Sequence, residues 1–145
     1  MLEAVAQHLR SQGPGRPPTA LWCGMVMGIV WLSLRTRGFA QTLQAAKCWG
    51  RCATRTPEIS DHALIPLTAH RVAVAAAFVP LKARCLEQSI TLFVLLRRLG
   101  VNAEFRLGVQ PYHFRAHAWV ECDGKPVNER PDIIRGFVTL PEIPL

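Results

Sequence analysis

The sequence lacks the features that mark a membrane-spanning or a secreted protein. Its longest apolar run, residues 21–34, is shorter than the roughly 20 residues that a spanning helix needs. Residues 1–4 lack the basic start and the apolar stretch of a secretory signal. We therefore expect a cytoplasmic protein with reduced thiols. Only 19% of the residues are charged and 50% are hydrophobic, which excludes general disorder and favours one domain.

Cysteine pairs at metal-ligand spacing are also absent. The five cysteines are an odd number, so at least one is unpaired. Cys48 and Cys52 are separated by three residues rather than two, and no second pair has the spacing of a zinc site. We expect neither a metal nor a cofactor.

Acidic residues are few relative to basic ones. The 10 Asp and Glu against 17 Lys and Arg give a formal net charge of +7. This balance favours an anionic partner, which could be an acidic peptide, a nucleic acid or a membrane surface. A solvated basic face would give the same count, so charge alone does not name the partner.

The first half of the chain is predicted to be helical. Residues 1–19 contain a Gly- and Pro-rich stretch and are interpreted as an N-terminal arm and linker. Residues 20–145 form the predicted domain, with a helical part at 20–79 and the catalytic core at 80–145. The apolar run at 21–34 is interpreted as a buried helix; peripheral contact with a membrane or a partner is the alternative.

Three further helices follow from the patterns. The first covers 39–51, and the firm part of the second covers 67–79, because Pro66 interrupts the pattern before it. The third covers 85–99 and is apolar on most sides, which predicts a central buried helix. Gly100 fits the left-handed position just after its end.

After this helix the pattern changes to the alternation of strands. Strands are predicted at 103–109 and 114–122, and Asp123-Gly124 is a strong hairpin signal. The returning strand is predicted at 125–128, and one more strand at 136–140. Helices followed by an antiparallel sheet make an α+β fold, in which the central helix packs on a small sheet.

Cys85 is the candidate nucleophile because it begins the central helix. Unpaired N–H groups and the positive end of the dipole stabilise a thiolate there. The alternative interpretation is a small buried residue that only starts a core helix. The other cysteines lie in apolar or helical surroundings, and no histidine is placed beside them.

His117 is the candidate base, between two alanines in the second strand. It would take the thiol proton and later return one to a leaving amine. His113, in the preceding connection, is the competing candidate. His8, His62 and His70 lie in the helical half and are interpreted as surface residues.

The residue that orients His117 depends on the hairpin register. A strict two-residue turn at Asp123-Gly124 would bring Asn128 to the face of His117. A three-residue turn with a bulge would bring Glu129 there instead. Either group can hold a histidine tautomer, and a carboxylate also stabilises the imidazolium.

At four places the sequence resembles the leader peptidases of lasso peptide biosynthesis, the microcin-processing family of transglutaminase-like cysteine proteases. The matching segments are Arg84-Cys85-Leu86-Glu87-Gln88-Ser89, residues 95–101, residues 107–109, and Ala116-His117-Ala118-Trp119-Val120-Glu121 with Asp123-Gly124. The resemblance implies a transglutaminase/papain-like core and a triad of cysteine, histidine and aspartate. Its first two members fall on Cys85 and His117. The third falls on Glu129, a departure by one methylene, with Asn128 as the alternative and Asp132 nearby.

The resemblance also implies partners. Some members of this family carry a leader-binding domain that this sequence lacks, so the chain resembles the stand-alone protease half of a split system. The implied partners are a precursor peptide, a separate leader-binding protein and an ATP-dependent macrocyclase. No nucleic acid is among them.

The predicted function is therefore a cysteine endopeptidase that removes the leader and frees the core N-terminus for ring closure. One alternative is an acyl transferase of the transglutaminase type. Another is a non-catalytic scaffold that presents the precursor to the cyclase. A membrane-bound helper that rests on residues 21–34 is the weakest alternative.

Overall fold

A computed structural model describes residues 17–50, 61–79 and 85–141 of the chain. The longer helices within these ranges are α1 (Ala20–Thr36), α2 (Phe39–Gly50), α3 (Asp61–Phe78) and α4 (Cys85–Arg98). The N-terminal arm predicted for residues 1–19 lies largely outside the described residues.

Helix α1 contains the apolar run and is buried on one side. The Thr19 side chain caps it by accepting the N–H of Trp22 at 3.3 Å. Residues Trp22, Cys23, Val26, Met27 and Val30 are buried, whereas Leu21, Met25 and Leu32 are exposed. This burial agrees with the predicted core helix. Among the described helices, none has the length and apolar character to cross a bilayer.

Helix α3 corrects the prediction that Pro66 limits the helix to its later part. The helix begins at Asp61 and continues through Pro66. The proline lies in the second turn, so it removes one early hydrogen bond, and its exposed ring leaves the buried side of the helix unaffected. The helix therefore extends six residues before the predicted firm part.

Helix α4 is the central element, as predicted. All residues from Ser89 to Leu96 are buried, and α4 contacts the other three long helices as well as the sheet. Gly100 has a φ of 86°, and its N–H donates to the Arg97 carbonyl at 3.1 Å. The N–H of Val101 donates to the Leu96 carbonyl at 3.0 Å. These two bonds form the Schellman motif that the glycine indicated.

The sheet has four antiparallel strands in the order β3-β2-β1-β4. Their bounds are β1 Ala103–Gln110, β2 Arg115–Cys122, β3 Lys125–Pro126 and β4 Val138–Thr139. Strands β1 and β2 pair from Ala103 with Cys122 to Gln110 with Arg115. The α+β prediction is confirmed.

Two predicted strands are shorter than expected, and one helix was missed. The strand predicted at 125–128 ends at Pro126, and the one predicted at 136–140 is limited to β4. Between them lies the short helix α5, Pro131–Ile134, with proline in its first turn. After Pro126 one backbone bond remains, in which the N–H of Val127 donates to the carbonyl of Val120 at 3.0 Å. The N–H of Val120 and the carbonyl of Ala118 bond to side chains instead.

The two faces of the sheet have different surroundings. Ala103, Val120 and Cys122 belong to the same buried cluster as α4. Because side chains alternate along a strand, His117, Trp119 and Glu121 lie on the opposite face of β2. His117 is near the end of β2 that follows the β1–β2 connection.

Candidate active site

Cys85 is the first residue of α4 and is half-buried. The first N–H groups of a helix have no partner within it. Cys85 is at this end of α4. Arg84, the neighbour in the sequence pattern, lies outside the described residues. The position gives the thiol both access to solvent and the positive end of a long helix.

His117 contacts a carboxylate. Its Nε2 lies 2.8 Å from Oε2 of Glu129, and the two side chains are 18% and 22% exposed. The other carboxylate oxygen, Oε1, accepts the backbone N–H of Arg130 at 2.9 Å. Because Nε2 contacts Glu129, Nδ1 is the ring nitrogen of His117 that does not face this carboxylate.

The hairpin between β2 and β3 has the strict two-residue turn. Asp123 and Gly124 have φ values of 50° and 74°, as a type I′ turn requires, and Cys122 pairs with Lys125. Under the predicted register, this turn should have brought Asn128 to His117. That expectation is wrong: Glu129 makes the contact, because the ladder ends at Pro126 and the alternation of side chains no longer holds beyond it.

Asn128 instead bonds to the edge of β2 and to α4. Its Oδ1 accepts the N–H of Val120 at 2.8 Å, and its Nδ2 donates to Oγ of Ser89 at 3.0 Å. The Ser89 hydroxyl donates in turn to the carbonyl of Ala118 at 2.9 Å. Asn128 therefore replaces a missing strand residue at this edge.

Aromatic side chains support the imidazole on the outer face of the sheet. The His117 ring stacks on Trp119 at 6.2 Å between centroids and 22° between planes, and Phe137 approaches it at 5.5 Å. Gly108 pairs with His117 across the sheet. A Cβ at Gly108 would lie 2.7 Å from the Trp119 ring, so the absence of a side chain there makes room for the indole.

Trp119 is itself fixed by a polar chain. It is fully buried, and its Nε1–H donates to Oε1 of Glu121 at 2.8 Å. The other oxygen of Glu121 accepts from Nε of Arg106 at 3.1 Å, and Arg106 also pairs with Glu104. No role was predicted for these residues from the sequence, although a lone glycine inside a strand pattern, here Gly108, indicates close approach of another group.

A family model described as the transglutaminase-like superfamily matches residues 27–142. The chain belongs to the transglutaminase-like superfamily. Comparison with curated proteins and with solved structures found no match.

The transglutaminase-like superfamily generally comprises cysteine-type enzymes, and the matched range contains Cys85, His117 and Glu129. A thiol at a helix start, an imidazole on the contacting strand and a carboxylate on that imidazole are the parts of a nucleophilic site. Such a set suits acyl transfer to water or to an amine.

The remaining cysteines of this transglutaminase-like chain are less suited to attack. Burial raises the pKa of the Cys23 and Cys122 thiols to about 11, which keeps both protonated at neutral pH. Cys48 is exposed on α2, and Cys52 lies outside the described residues.

The other histidines and the other candidate acid are exposed where the structure describes them. His113 is exposed in the β1–β2 connection, and His70 is exposed on α3. Asp132 is exposed and pairs with Arg130 at 2.8 Å. His8 lies outside the described residues, as does the side chain of His62. Among the described side chains, no group of three or more metal-binding residues occurs.

A groove of about 410 Å³ runs beside Glu129, between α3 and the segment after β3. Its apolar lining comes from α3, α4 and Val127, and its polar lining includes His70, Gln88 and Asn128.

Proposed function

We propose that this protein is a cysteine endopeptidase that removes the leader from a ribosomally made precursor peptide. The observation that carries the proposal is the 2.8 Å contact between His117 Nε2 and Glu129 Oε2. His117 lies on β2, which contacts the helix beginning with Cys85, and Glu129 lies in the segment after β3. Peptide cleavage needs a nucleophile, an oriented base and a donor for the leaving amine.

The proposed reaction has two steps. Nδ1 of His117 takes the thiol proton, and the Cys85 sulfur attacks the scissile carbonyl. The tetrahedral oxyanion is stabilised by the backbone N–H of Cys85. The imidazolium then protonates the leaving amine, which departs as the core peptide, and a thioester joins the leader to Cys85. Water activated by His117 hydrolyses the thioester and restores the thiol.

Glu129 has two functions in this reaction. Its carboxylate holds the imidazole with Nδ1 directed away from it, and it stabilises the positive charge that His117 carries between the two proton transfers. Since Oε1 is occupied by the Arg130 N–H, the carboxylate has one defined orientation. The longer side chain of glutamate fits a strand that ends early, because the residue reaches the ring from outside the ladder.

The substrate class rests on the resemblance to lasso peptide leader peptidases at residues 84–89 and 116–121. That resemblance supports a cytoplasmic role, a separate leader-binding protein and an ATP-dependent macrocyclase that closes the released core. The exposed apolar residues of α1 and the net charge of +7 are candidates for contacts with these partners.

The experiment is mass spectrometry of the precursor peptide incubated with the purified protein, with and without the leader-binding protein. We expect two fragments whose masses add to that of the precursor plus water, and neither fragment with Cys85→Ala. Cys48→Ala, an exposed thiol on another helix, is the matched control and should cleave normally. Intact precursor under every condition, with binding preserved, would contradict the proposal and favour the scaffold.

Membership of the transglutaminase-like superfamily favours one second candidate, transfer of the acyl group to an amine. The same thioester would form, but an amine rather than water would attack it. Products would then be cross-linked or amidated peptides, whose masses differ from those of hydrolysis. The same spectra therefore distinguish the two reactions.

A further inference from the structure

A buried set of hydrogen bonds joins the helix that begins with Cys85 to the strand that carries His117. Ser89 lies four residues after Cys85, so the two side chains occupy the same side of α4, one turn apart. Ser89 is fully buried, and its hydroxyl donates to the carbonyl of Ala118, next to His117 on β2. The bond therefore lies one helical turn from the thiol and one residue from the imidazole.

Asn128 completes this set and leads directly to Glu129. It donates to Ser89 and accepts the N–H of Val120, so a single amide contacts both α4 and β2. The next residue, Glu129, contacts His117. The Ser89 hydroxyl and the Asn128 amide oxygen thus satisfy the β2 groups that a longer β3 would have bonded.

We propose that Ser89 and Asn128 are positioning residues that hold Cys85, His117 and Glu129 in register with one another. The inference rests on the proposed function. Neither side chain is assigned contact with substrate. Ser89 sets the position of α4 against β2, and Asn128 sets the segment from which Glu129 reaches the ring.

Hydrogen bonds suit this task better than apolar contacts. A buried hydroxyl and amide accept only a narrow range of distances and angles, and bonds that share an atom strengthen one another in a low dielectric. Displacement of reacting groups by about 1 Å can lower a rate by about 10²-fold. Loss of either side chain should therefore affect the reaction more than the fold.

The test compares Ser89→Ala and Asn128→Ala with two controls on α4. Thr91 is also fully buried, and its hydroxyl has no hydrogen-bond partner among the described residues, so Thr91→Val removes a buried hydroxyl without breaking a bond seen there. Leu96→Ala leaves a cavity in the core and measures the effect of lost stability alone. Asn128 is half-buried in a loop, so its variant is expected to fold even if Ser89→Ala does not.

The first readout needs no substrate. The rate at which iodoacetamide alkylates Cys85 is followed by peptide mass at about pH 6 and about pH 9. The rate at the lower pH divided by the rate at the higher pH reports how well His117 assists the thiol. We expect the ratio to fall about tenfold or more in Ser89→Ala and in Asn128→Ala, and to be unchanged in Thr91→Val and Leu96→Ala. An unchanged ratio in the folded Ser89 and Asn128 variants would overturn the proposal, as would an equal fall in Leu96→Ala.

The second readout is the split between kcat and KM for the precursor. Positioning predicts that kcat falls by about 10- to 100-fold while KM changes by less than about threefold. If the unchanged protein does not cleave but the alkylation ratios separate as expected, the proposed function fails and the positioning stands. If all variants cleave equally, the positioning fails and the proposed function stands.

Discussion

Helix α4 contributes to two regions of this molecule that differ in the interactions that stabilise them. Most of its length packs into the apolar core through residues such as Leu92 and Leu96, which are fully buried. This core also contains the Thr91 hydroxyl, which has no hydrogen-bond partner in the part of the chain that the structure describes. Two residues earlier, at the edge of β2, the Ser89 hydroxyl bonds to both Ala118 and Asn128.

The difference shows which part of the fold supplies stability and which part fixes the orientation of the reacting groups. Apolar packing depends on volume and tolerates modest repacking. The polar edge is the bonded set of Ser89, Ala118, Val120, Asn128 and Glu129. It depends on the distances and angles of these hydrogen bonds. Substitutions in the two regions should therefore separate effects on unfolding from effects on reaction rate.

The largest expected effect comes from removing the charge at the polar edge. Glu129→Gln keeps the size of the side chain but removes the carboxylate that holds His117. We expect kcat to fall by about 10²- to 10⁴-fold, with little change in the melting temperature. Asp132→Asn is the matched control, since that carboxylate is exposed and contacts Arg130 rather than His117. Equal activity in the two variants would contradict the role given to Glu129.

A cavity in the apolar core should lower stability and leave kcat nearly unchanged. Leu96→Ala removes a fully buried side chain and is expected to lower the free energy of unfolding by ~2–5 kcal/mol. Below the melting temperature, kcat should change by less than about threefold. Denaturant unfolding and steady-state kinetics check both values, with the half-exposed Leu32→Ala as control. A large loss of kcat in folded Leu96→Ala would mean that the two regions are not separable.

The smallest effect tests the aromatic support of the imidazole, which links the two regions. In Gly108→Ala the new Cβ would lie 2.7 Å from the Trp119 ring and 3.0 Å from Cβ of Phe137. We expect a loss of ~1–3 kcal/mol in the free energy of unfolding and about a tenfold fall in kcat, because His117 stacks on the displaced ring.

Gly28→Ala is the control for this variant. Within residues 17–50, 61–79 and 85–141, no neighbouring atom lies within 4 Å of a Cβ at Gly28, and alanine favours a helix interior by up to ~1 kcal/mol. Thermal unfolding should therefore show a gain for Gly28→Ala and a loss for Gly108→Ala. Equal stability of the two would show that Trp119 moves without cost.

The sequence predicted those features that depend on local chemistry. Asp123-Gly124 indicated the turn, Gly100 indicated the helix end, and the apolar pattern of 85–99 indicated a central helix. Each of these follows from backbone conformation or from the period of burial.

The details of the polar edge could not be predicted in the same way. The end of β3 at Pro126 depends on the Asn128 amide replacing a strand partner of Val120, and this is a tertiary contact with no period. Because the hypothesis assumed a ladder that continued to residue 128, it tied the two-residue turn to Asn128. The 2.8 Å contact of Glu129 with His117 arises only when the chain leaves that ladder.

The most direct test of the central claim is to detect the acyl-enzyme. The protein is mixed with the precursor and its leader-binding partner, quenched in acid during turnover, and analysed by intact mass and by peptide mapping. We predict that the leader fragment is bound to Cys85 as a thioester, that it accumulates when hydrolysis is slowed, and that it is absent in Cys85→Ala. Release of core peptide with no adduct at Cys85, or an adduct at another cysteine, would contradict the account.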